Sequence, residues 1–268
     1  MRYDALLIDV DGVVKIGTTV LDGVPQAIAA LRSSDVPFLL VTNNSTLSPA
    51  DLVHRLSLGG LDIRPEEILT SAQVLVYSIG HSLTFGVAAE RGVLVIGEDG
   101  LKRELQGGGY RITENSTDGL VAVGLDRSFN YEKLRLALRS VKLGARILAT
   151  NTDSTYPSEE EELPGAGAMV AAIRAFATSP IRVMGKPSRV FFRAALSRLG
   201  MNRSGRVLIV GDRPETDVRL AKMNGAASAL VLSGVTSASE ARALIGGMRP
   251  DYVFRSLEET VKTSLGIV

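Results

Sequence analysis

The sequence predicts an α/β protein whose main part is a doubly wound parallel sheet, with a second, smaller α/β domain inserted into it. Short apolar runs end abruptly at polar or turn residues, and such runs are typical of strands buried on both faces. Segments with helical periodicity alternate with these runs, a pattern that favours parallel pairing. A separate group of strands and helices interrupts the pattern. We therefore expect residues 1–79 and 180–268 to form the core domain and residues 80–179 to form the inserted domain.

The elements of the core domain follow from these patterns in chain order. The first strand is the apolar run that begins at Leu6 and ends at two carboxylates, Asp9 and Asp11. Further strands are predicted at 38–41, 68–70, 181–187, 207–212, 229–232 and 252–254. Helices are predicted at about 23–33, 48–58, 72–79 and 188–199. Ser48 is a suitable cap for the second of these helices, and Pro49 suits its first position.

The inserted domain shows the same alternation on a smaller scale. Its predicted strands are 93–97, 120–124 and 147–150. One helix is predicted at 99–106, and Tyr131, Leu134, Leu138 and Val141 mark a second amphipathic helix. The segment Gly165-Ala166-Gly167 follows a proline and a loop, so it predicts the glycine-rich start of a helix rather than a nucleotide-binding turn.

Composition narrows the possible functions of the 268 residues. Lysine and arginine number 30 against 29 acidic residues, so there is no basic field, and we expect neither nucleic acid nor membrane as a partner. The absence of cysteine excludes disulfides, cysteine-based zinc sites and a cysteine nucleophile. With only two histidines, a histidine-rich metal site is excluded. We expect a cytoplasmic protein.

Polar side chains end several predicted strands of the core domain. They are Asp9 and Asp11, Thr42 and Asn43, Lys186, and Asp212 with Asp217 five residues later. Because the carboxyl ends of parallel strands share one edge of a sheet, these groups are expected to meet at one crevice. Several carboxylates there require a cation, and oxygen ligands without histidine or cysteine point to Mg²⁺. Lys186 and the Thr42 hydroxyl would bind an anion, so the set predicts phosphoryl transfer.

These motifs, in this order, resemble those of the haloacid dehalogenase (HAD) superfamily of aspartate-nucleophile phosphohydrolases. The matching segments are Asp9-Val10-Asp11-Gly12, Thr42-Asn43, Gly185-Lys186-Pro187 and Gly211-Asp212 through Thr216-Asp217. The details resemble the large-cap subgroup (type IIA, C2 cap), which includes NagD-type, 4-nitrophenyl phosphate, pyridoxal phosphate and phosphoglycolate phosphatases. The resemblance implies a Rossmann-like catalytic core at 1–79 and 180–268, and a cap domain at 80–179.

The resemblance also implies a role for each matching residue. Asp9 would be the nucleophile that forms an aspartyl-phosphate, and Asp11 would be the general acid and base. Mg²⁺ would be held by the Asp9 carboxylate, the Asp11 backbone carbonyl and the Asp212 carboxylate. Asp217 would act through water or by orienting Lys186. Thr42, the Asn43 backbone and Lys186 would bind the phosphoryl group.

The inserted cap is expected to contact the part of the substrate beyond phosphate. Asn151, Asp153 and Tyr156 are the candidates, with a solvent-exposed loop as the equally weighted alternative. We expect Mg²⁺-dependent hydrolysis of a small phosphomonoester. The alternatives are a phosphotransferase or phosphomutase with the same intermediate, and a non-catalytic protein that binds a phosphoryl ligand. The oligomeric state stays open, with a homodimer as one alternative, because cap-to-cap dimers occur in similar proteins.

Overall fold

The structure, a computed structural model, describes residues 3–157, 161–201 and 206–267. Its strands, in chain order, are β1 (Ala5–Asp9), β2 (Lys15–Ile16), β3 (Thr19–Val20), β4 (Phe38–Thr42), β5 (Ile68–Thr70), β6 (Val93–Ile96), β7 (Ile112–Thr113), β8 (Leu120–Val123), β9 (Arg146–Ala149), β10 (Thr155–Pro157), β11 (Glu162–Pro164), β12 (Arg182–Val183), β13 (Val207–Gly211), β14 (Ala227–Val231) and β15 (Tyr252–Phe254). The helices are α1 (Val24–Ser33), α2 (Pro49–Leu58), α3 (Ser71–Gly80), α4 (Leu83–Glu90), α5 (Asp99–Gly107), α6 (Tyr131–Lys142), α7 (Ala166–Arg174), α8 (Arg189–Arg198), α9 (Arg219–Asn224), α10 (Ala238–Ala243) and α11 (Leu257–Leu265).

The chain divides into two compact units. Unit 1 comprises Met1–Thr42, Asp51–Leu69 and Lys186–Val268, and unit 2 comprises Asn43–Ala50 and Thr70–Gly185. The segment 70–79, which the sequence analysis assigned to the core domain, therefore groups with unit 2. So does the segment 180–185.

The main sheet has the strand order β15-β14-β13-β1-β4-β5. The chain runs outward from β1 through β4 to β5 on one side, and from β13 through β14 to β15 on the other. The pairs from β15 through β4 are parallel. The predicted α/β class and doubly wound parallel sheet are thus confirmed. In such sheets, ligands bind beyond the carboxyl ends of the strands where the direction of winding changes, which here is at β1 and β13.

The centre of the main sheet is apolar on both faces. Every residue of β1, β4 and β13 is buried. In β1, Leu7 lies opposite Ile209 on one side and Leu39 on the other. Burial on both faces explains why these strands are continuous apolar runs without alternation.

Unit 2 contains a parallel sheet of its own, in the order β12-β9-β8-β6-β7. Residues of β6, β8, β9, α6 and α7 form its buried apolar cluster, which includes Ile96, Val123 and Ile173. Helix α7 starts at Ala166, as the glycine-rich segment predicted. An antiparallel hairpin joins β10 to β11.

One strand assignment was wrong. The sequence predicted a core strand at 181–187, but only Arg182–Val183 is extended as a strand, and it pairs with β9 in the sheet of unit 2. The error arises because the strand has only two residues. Such a short strand shows no hydrophobic periodicity, so the sequence does not indicate to which sheet it belongs. The two-residue strands β2 and β3 escaped prediction for the same reason.

Among the described residues, no helix by itself has the length and apolar character needed to cross a membrane. Helices α3 and α4 meet that test only when taken together, and they are bent by 95° at the break between them.

Candidate active site

Strand β1 delivers Asp9 to the carboxyl edge of the main sheet. Asp9 is the last residue of the strand and lies opposite Val41, so that Thr42 ends the neighbouring strand β4. Both residues are buried. The Asp9 Oδ1 atom accepts a hydrogen bond of 2.8 Å from the backbone N–H of Val10. The structure therefore places Asp9 and Thr42 at the ends of adjacent strands.

Lys186 connects two of the predicted carboxylates. Its Nζ lies 2.7 Å from Asp9 Oδ1 and 2.7 Å from Asp217 Oδ1. The lysine side chain is only 2% exposed, so the ammonium has exchanged water for these carboxylates. Lys186 follows a strand of unit 2, and it reaches this position without ending a strand of the main sheet as the sequence analysis had expected.

Asp217 is held by the irregular turn that follows β13. Residues Pro214–Val218 form one turn of π-helix. The Asp217 Oδ2 atom accepts hydrogen bonds from the Thr216 hydroxyl at 3.1 Å and from the Arg213 backbone N–H at 3.3 Å. A Cβ atom on Gly211 would lie 2.2 Å from Asp217 Cβ, so this close packing requires glycine at the end of β13.

Asp212 is enclosed by backbone. Its Oδ2 atom accepts a 2.8 Å hydrogen bond from the Val235 N–H, while Oδ1 is buried and has no hydrogen-bond partner within the described ranges. A Cβ atom would approach Asp212 Oδ2 to 2.2 Å if built on Gly12 and to 2.0 Å if built on Gly234. A buried oxygen without a partner is costly, which indicates that a group absent from the protein chain belongs beside it.

Burial and mutual repulsion perturb the ionisation of this cluster. Desolvation raises the pKa of Asp9 well above its usual range, the nearby Lys186 charge opposes this, and Asp217 and Asp212 reinforce it. Desolvation, followed by repulsion from Asp217, raises the pKa of Asp212 to about 6. Burial by itself would lower the pKa of Lys186, but the charges of Asp217 and Asp9 outweigh it and raise that pKa.

The donor set suits a hard divalent cation. Asp9, Asp212 and Asp217 each offer a carboxylate oxygen, and these atoms lie within 4.8 Å of one another. One lysine cannot neutralise three buried carboxylates. Oxygen-only ligation is the preference of Mg²⁺, and the partnerless Asp212 Oδ1 is an available ligand atom. The residues present therefore fit Mg²⁺.

Asp11 lies in a different environment from Asp9. Its side chain is 39% exposed and forms an ion pair with Lys15, whose Nζ also donates a 3.0 Å hydrogen bond to the Gly17 carbonyl. The Asp11 carboxylate is thus separate from the three-carboxylate cluster. Sequence reasoning missed Lys15, although a basic residue four positions after Asp11 and two before Gly17 was a usable signal for a pair across a tight turn.

The segment 233–236 is a second feature that sequence reasoning missed. The Ser233 hydroxyl donates a 2.7 Å hydrogen bond to the Gly12 carbonyl, and the Thr236 hydroxyl donates to the Asp212 carbonyl. Together with Gly234, these residues hold the turns that carry Gly12 and Asp212. The segment follows β14, so its position at a strand end was the available signal.

In unit 2, Asn43 is bonded to two of the predicted cap residues. The Asn43 side-chain amide donates to both carboxylate oxygens of Asp153, at 3.2 and 3.0 Å. The Asn43 carbonyl accepts from Asn151 Nδ2 at 2.8 Å. The structure therefore brings Asn43, Asn151 and Asp153 together, although 108 positions or more separate Asn43 from the other two in the chain.

Tyr156, the third predicted cap residue, lies beside an ion pair. Its hydroxyl is hydrogen-bonded to Arg127, which pairs with Glu98 through contacts of 2.7 and 2.6 Å. The hydrogen bonds to Glu98 raise the pKa of Arg127 and lower that of Glu98, so both groups stay charged. This neighbourhood offers Tyr156 a structural role as well as the predicted one.

Two parts of the chain match known protein families. Residues 6–111 match the family described as haloacid dehalogenase-like hydrolase, and residues 183–260 match the family described as HAD-hydrolase-like. An acid sugar phosphatase of Staphylococcus haemolyticus is 33% identical over 260 residues, which make up 97% of this chain and 96% of that protein.

Solved structures of phosphatases are also similar to the chain. A p-nitrophenyl phosphatase from Archaeoglobus fulgidus has a TM-score of 0.89 and 33% identity, over 98% of this chain and 100% of the other. A glycerol phosphate phosphatase from Mycobacterium tuberculosis, solved in complex with magnesium, has a TM-score of 0.85 and 33% identity, over 96% of this chain and 76% of the other.

The glycine beside Asp212 provides a test of the packing. Gly12 and Gly60 both have positive φ angles, of 82° and 78°, but a Cβ on Gly60 would meet nothing within 4 Å. We expect Gly60→Ala to lower the free energy of unfolding by about 1–2 kcal/mol, the cost of the left-handed conformation alone. Gly12→Ala should cost clearly more, because it also displaces the Asp212 carboxylate. Urea unfolding measures both, and equal losses would contradict the packing argument.

The raised pKa of Asp212 predicts a pH-dependent cost in the metal-free protein. Its folded-state pKa of about 6 exceeds the ordinary value of 3.8, so the folded state binds more protons than the unfolded state between about pH 4 and 6. Stability therefore falls as the pH rises through that window. The variant Asp212→Asn has no carboxyl group at this position, so it lacks this proton-binding site. In EDTA, we expect the stability of the variant relative to the parent to increase across the window, by up to about 3 kcal/mol.

The control for this experiment is Asp62→Asn, because the Asp62 side chain is 92% exposed. That variant should keep the pH dependence of the parent. Saturating Mg²⁺ should stabilise the parent and the control but not Asp212→Asn. Thermal and urea unfolding at several pH values measure these effects, and an identical pH slope in all three proteins would refute the assignment.

Proposed function

The chain belongs to the phosphatases of the haloacid dehalogenase-like hydrolase family. From this membership we propose that it hydrolyses small phosphomonoesters, and that the reaction depends on Mg²⁺ and passes through an aspartyl-phosphate intermediate. The predicted resemblance is confirmed by the family matches and by relatives aligned over nearly the whole chain. The observation that carries the proposed mechanism is the buried cluster of Asp9, Lys186, Asp212 and Asp217, which combines a nucleophile, a cation and ligands for a second cation.

Asp9 is the proposed nucleophile. One of its carboxylate oxygens attacks phosphorus, and the bond between phosphorus and the ester oxygen breaks. Its position at the end of β1, buried and bonded to Lys186 at 2.7 Å, restricts the orientation of the carboxylate. Because burial raises the pKa of Asp9, neighbouring positive charge is needed to keep it ionised and able to attack.

Asp11 is the proposed general acid and base. It gives a proton to the departing ester oxygen, and then accepts a proton from the water that attacks phosphorus and releases Asp9. The partial exposure of its side chain supports this role, since a group that exchanges protons twice in each cycle must be accessible to water. The ion pair with Lys15 limits where the carboxylate can point.

Mg²⁺ is the proposed cofactor, held by the carboxylates of Asp9 and Asp212 and by the Asp11 backbone carbonyl. When bound, the ion would neutralise negative charge on the transferring phosphoryl group. Asp217 is proposed to orient Lys186 through their 2.7 Å contact rather than to bind metal directly. The magnesium complex of the similar glycerol phosphate phosphatase supports the choice of ion.

The phosphoryl group is proposed to be bound by the Thr42 hydroxyl, the backbone of Asn43 and the Lys186 ammonium. Residues 1–79 and 180–268 would form the catalytic core and 80–179 the cap that selects substrates. Two similar proteins are named acid sugar phosphatase and glycerol phosphate phosphatase, so we propose phosphomonoesters of small hydroxylated carbon compounds as substrates. The cytoplasmic location expected from the sequence stays a prediction, and a homodimer stays one alternative for the oligomeric state.

Hydrolysis of 4-nitrophenyl phosphate and of glycerol phosphate tests the proposal. We expect turnover of both esters with Mg²⁺, and loss of turnover in EDTA that is reversed when Mg²⁺ is restored. Water labelled with ¹⁸O should place the label in the released phosphate. Metal-independent turnover would refute the cofactor assignment. Transfer of the phosphoryl group to an added sugar in preference to water would instead favour a phosphotransferase.

The nucleophile can be tested by replacing one carboxylate oxygen. Asp9→Asn should reduce kcat by at least about 10³-fold, because the amide cannot form the covalent intermediate. Acid quenching with a ³²P-labelled substrate should trap phosphoenzyme in the parent and none in this variant. The exposed change Asp62→Asn is the control and should leave kcat unaltered. Near-parental turnover by Asp9→Asn, with the fold verified by circular dichroism, would eliminate Asp9 as the nucleophile.

A further inference from the structure

Asn43 is fixed by hydrogen bonds with three residues from two segments of unit 2, the 151–153 turn and the start of α3. Its side-chain amide donates to both oxygens of the Asp153 carboxylate, at 3.2 and 3.0 Å. Its backbone carbonyl accepts from Asn151 Nδ2 at 2.8 Å and from the Ser71 hydroxyl at 2.7 Å. Bonds to both the side chain and the main chain leave the Asn43 peptide little rotational freedom.

The loop that supplies Asn151 and Asp153 is itself ordered by its own contacts. Asn151 is buried, and its Oδ1 accepts a 3.0 Å hydrogen bond from the Asp153 N–H, which closes a tight turn. The start of α7 packs against this turn, since the Gly167 N–H donates to the Asp153 carbonyl at 2.9 Å. A Cβ on Gly165 would lie 2.2 Å from that same carbonyl oxygen. The glycine-rich segment therefore serves to let α7 approach the 151–153 turn.

We propose that Asp153 and Asn151 are positioning residues that fix the Asn43 backbone for binding of the phosphoryl group, rather than contacts to the remainder of the substrate. This inference rests on the proposed function, which assigns the Asn43 backbone to that group. The inference replaces the substrate contact expected for Asn151 and Asp153, because the polar atoms of both side chains are directed at Asn43.

The contact between Asn43 and Asp153 is stronger than an ordinary amide bond. The acceptor is charged, and such hydrogen bonds are roughly twice as strong as neutral ones. Both carboxylate oxygens contact one nitrogen, so the contact constrains direction as well as distance. Small displacements of a phosphoryl-binding amide are costly to catalysis, because catalysis depends on donors that are already in place.

Kinetics can distinguish a residue that positions Asn43 from one that contacts the substrate. A residue that contacts the substrate beyond phosphate affects different esters unequally. A residue that acts through Asn43 affects every ester equally, because the phosphoryl group is common to all of them. It should also weaken inhibition by inorganic phosphate, which lacks the ester part altogether.

The test compares Asp153→Ala with the parent on 4-nitrophenyl phosphate and glycerol phosphate, with inorganic phosphate as a competitive inhibitor. We expect kcat/KM to fall by about 10- to 100-fold, the loss of a charge-assisted hydrogen bond, by the same factor for both esters. The inhibition constant of phosphate should rise. Asp153→Asn retains an acceptor oxygen for Asn43 and should restore part of the activity, which also guards against a folding defect in the alanine variant.

Two further variants complete the design. Asn43→Ala removes the donor, so the double variant Asn43→Ala/Asp153→Ala should be no worse than Asn43→Ala alone. Thr152→Ala changes an exposed residue between the two positioning residues and should match the parent.

Losses that differ between the two esters, or that multiply in the double variant, would show that Asp153 acts on the substrate directly and would overturn the inference. Failure of the proposed function is recognised separately. In that case Asp9→Asn would retain turnover, or the parent would hydrolyse neither ester.

Discussion

The structure of unit 1 depends on one interaction, the buried ammonium of Lys186 held between Asp9 and Asp217 at 2.7 Å on each side. Removal of the lysine would leave two buried carboxylates, with oxygens within 4.8 Å of each other, without compensation, which is far more costly than loss of a surface ion pair. The cluster draws Asp9 from β1, Asp217 from the turn after β13 and Lys186 from beyond β12. Strand β1 and the turn after β13 are therefore joined by electrostatics as well as by the pairing of the two strands.

The lysine does not complete the charge balance. Asp212 is as deeply buried as Asp217, yet its Oδ1 has no hydrogen-bond partner in the part of the chain that the structure describes. Gly12 and Gly234 approach its other oxygen so closely that no larger residue would fit. A carboxylate packed in this way, with its pKa raised to about 6, lowers the stability of the metal-free protein at neutral pH. Such a cost is expected where a site is arranged for a ligand rather than for the stability of the fold alone.

The sequence predicted the parts of this site that depend on strand ends and failed where chain segments had to be paired. Asp9, Thr42 and Asp212 were found because continuous apolar runs identify buried parallel strands, whose carboxyl ends share an edge. Lys186 lies beside Asp9 and Asp217, but its strand was assigned to the wrong sheet, because a two-residue strand carries no periodic signal. The ion pair of Asp11 with Lys15 depends on a hairpin of two-residue strands, and it escaped prediction for the same reason.

The contact of Asn43 with Asp153 could not be predicted from the sequence, because the two residues are far apart in the chain. Both residues were singled out, one for phosphate and one for substrate selection, yet no local pattern relates positions that lie 110 residues apart. Only the folded turn at 151–153 shows that their side chains are directed at each other. The same applies to Gly165 and Gly167, whose lack of side chains is explained by the Asp153 carbonyl and not by any nucleotide.

The different environments of Asp9 and Asp11 support the division of roles proposed for them. Strand β1 ends at Asp9, and Asp11 lies just beyond it, next to the positive φ angle of Gly12. The chain therefore buries Asp9 at the strand end, while the Asp11 side chain pairs with Lys15 and stays in contact with water. A nucleophile benefits from being desolvated and held in one orientation, provided that cations keep it ionised. A group that carries a proton out of the site and back needs access to solvent. If the residues were exchanged, the buried group would have to deliver a proton while surrounded by Lys186 and two other carboxylates, and the exposed group would have to attack through its hydration shell. The buried position of Asp9 at the end of β1 and the exposed position of Asp11 beyond it therefore favour Asp9 for attack on phosphorus and Asp11 for proton transfer.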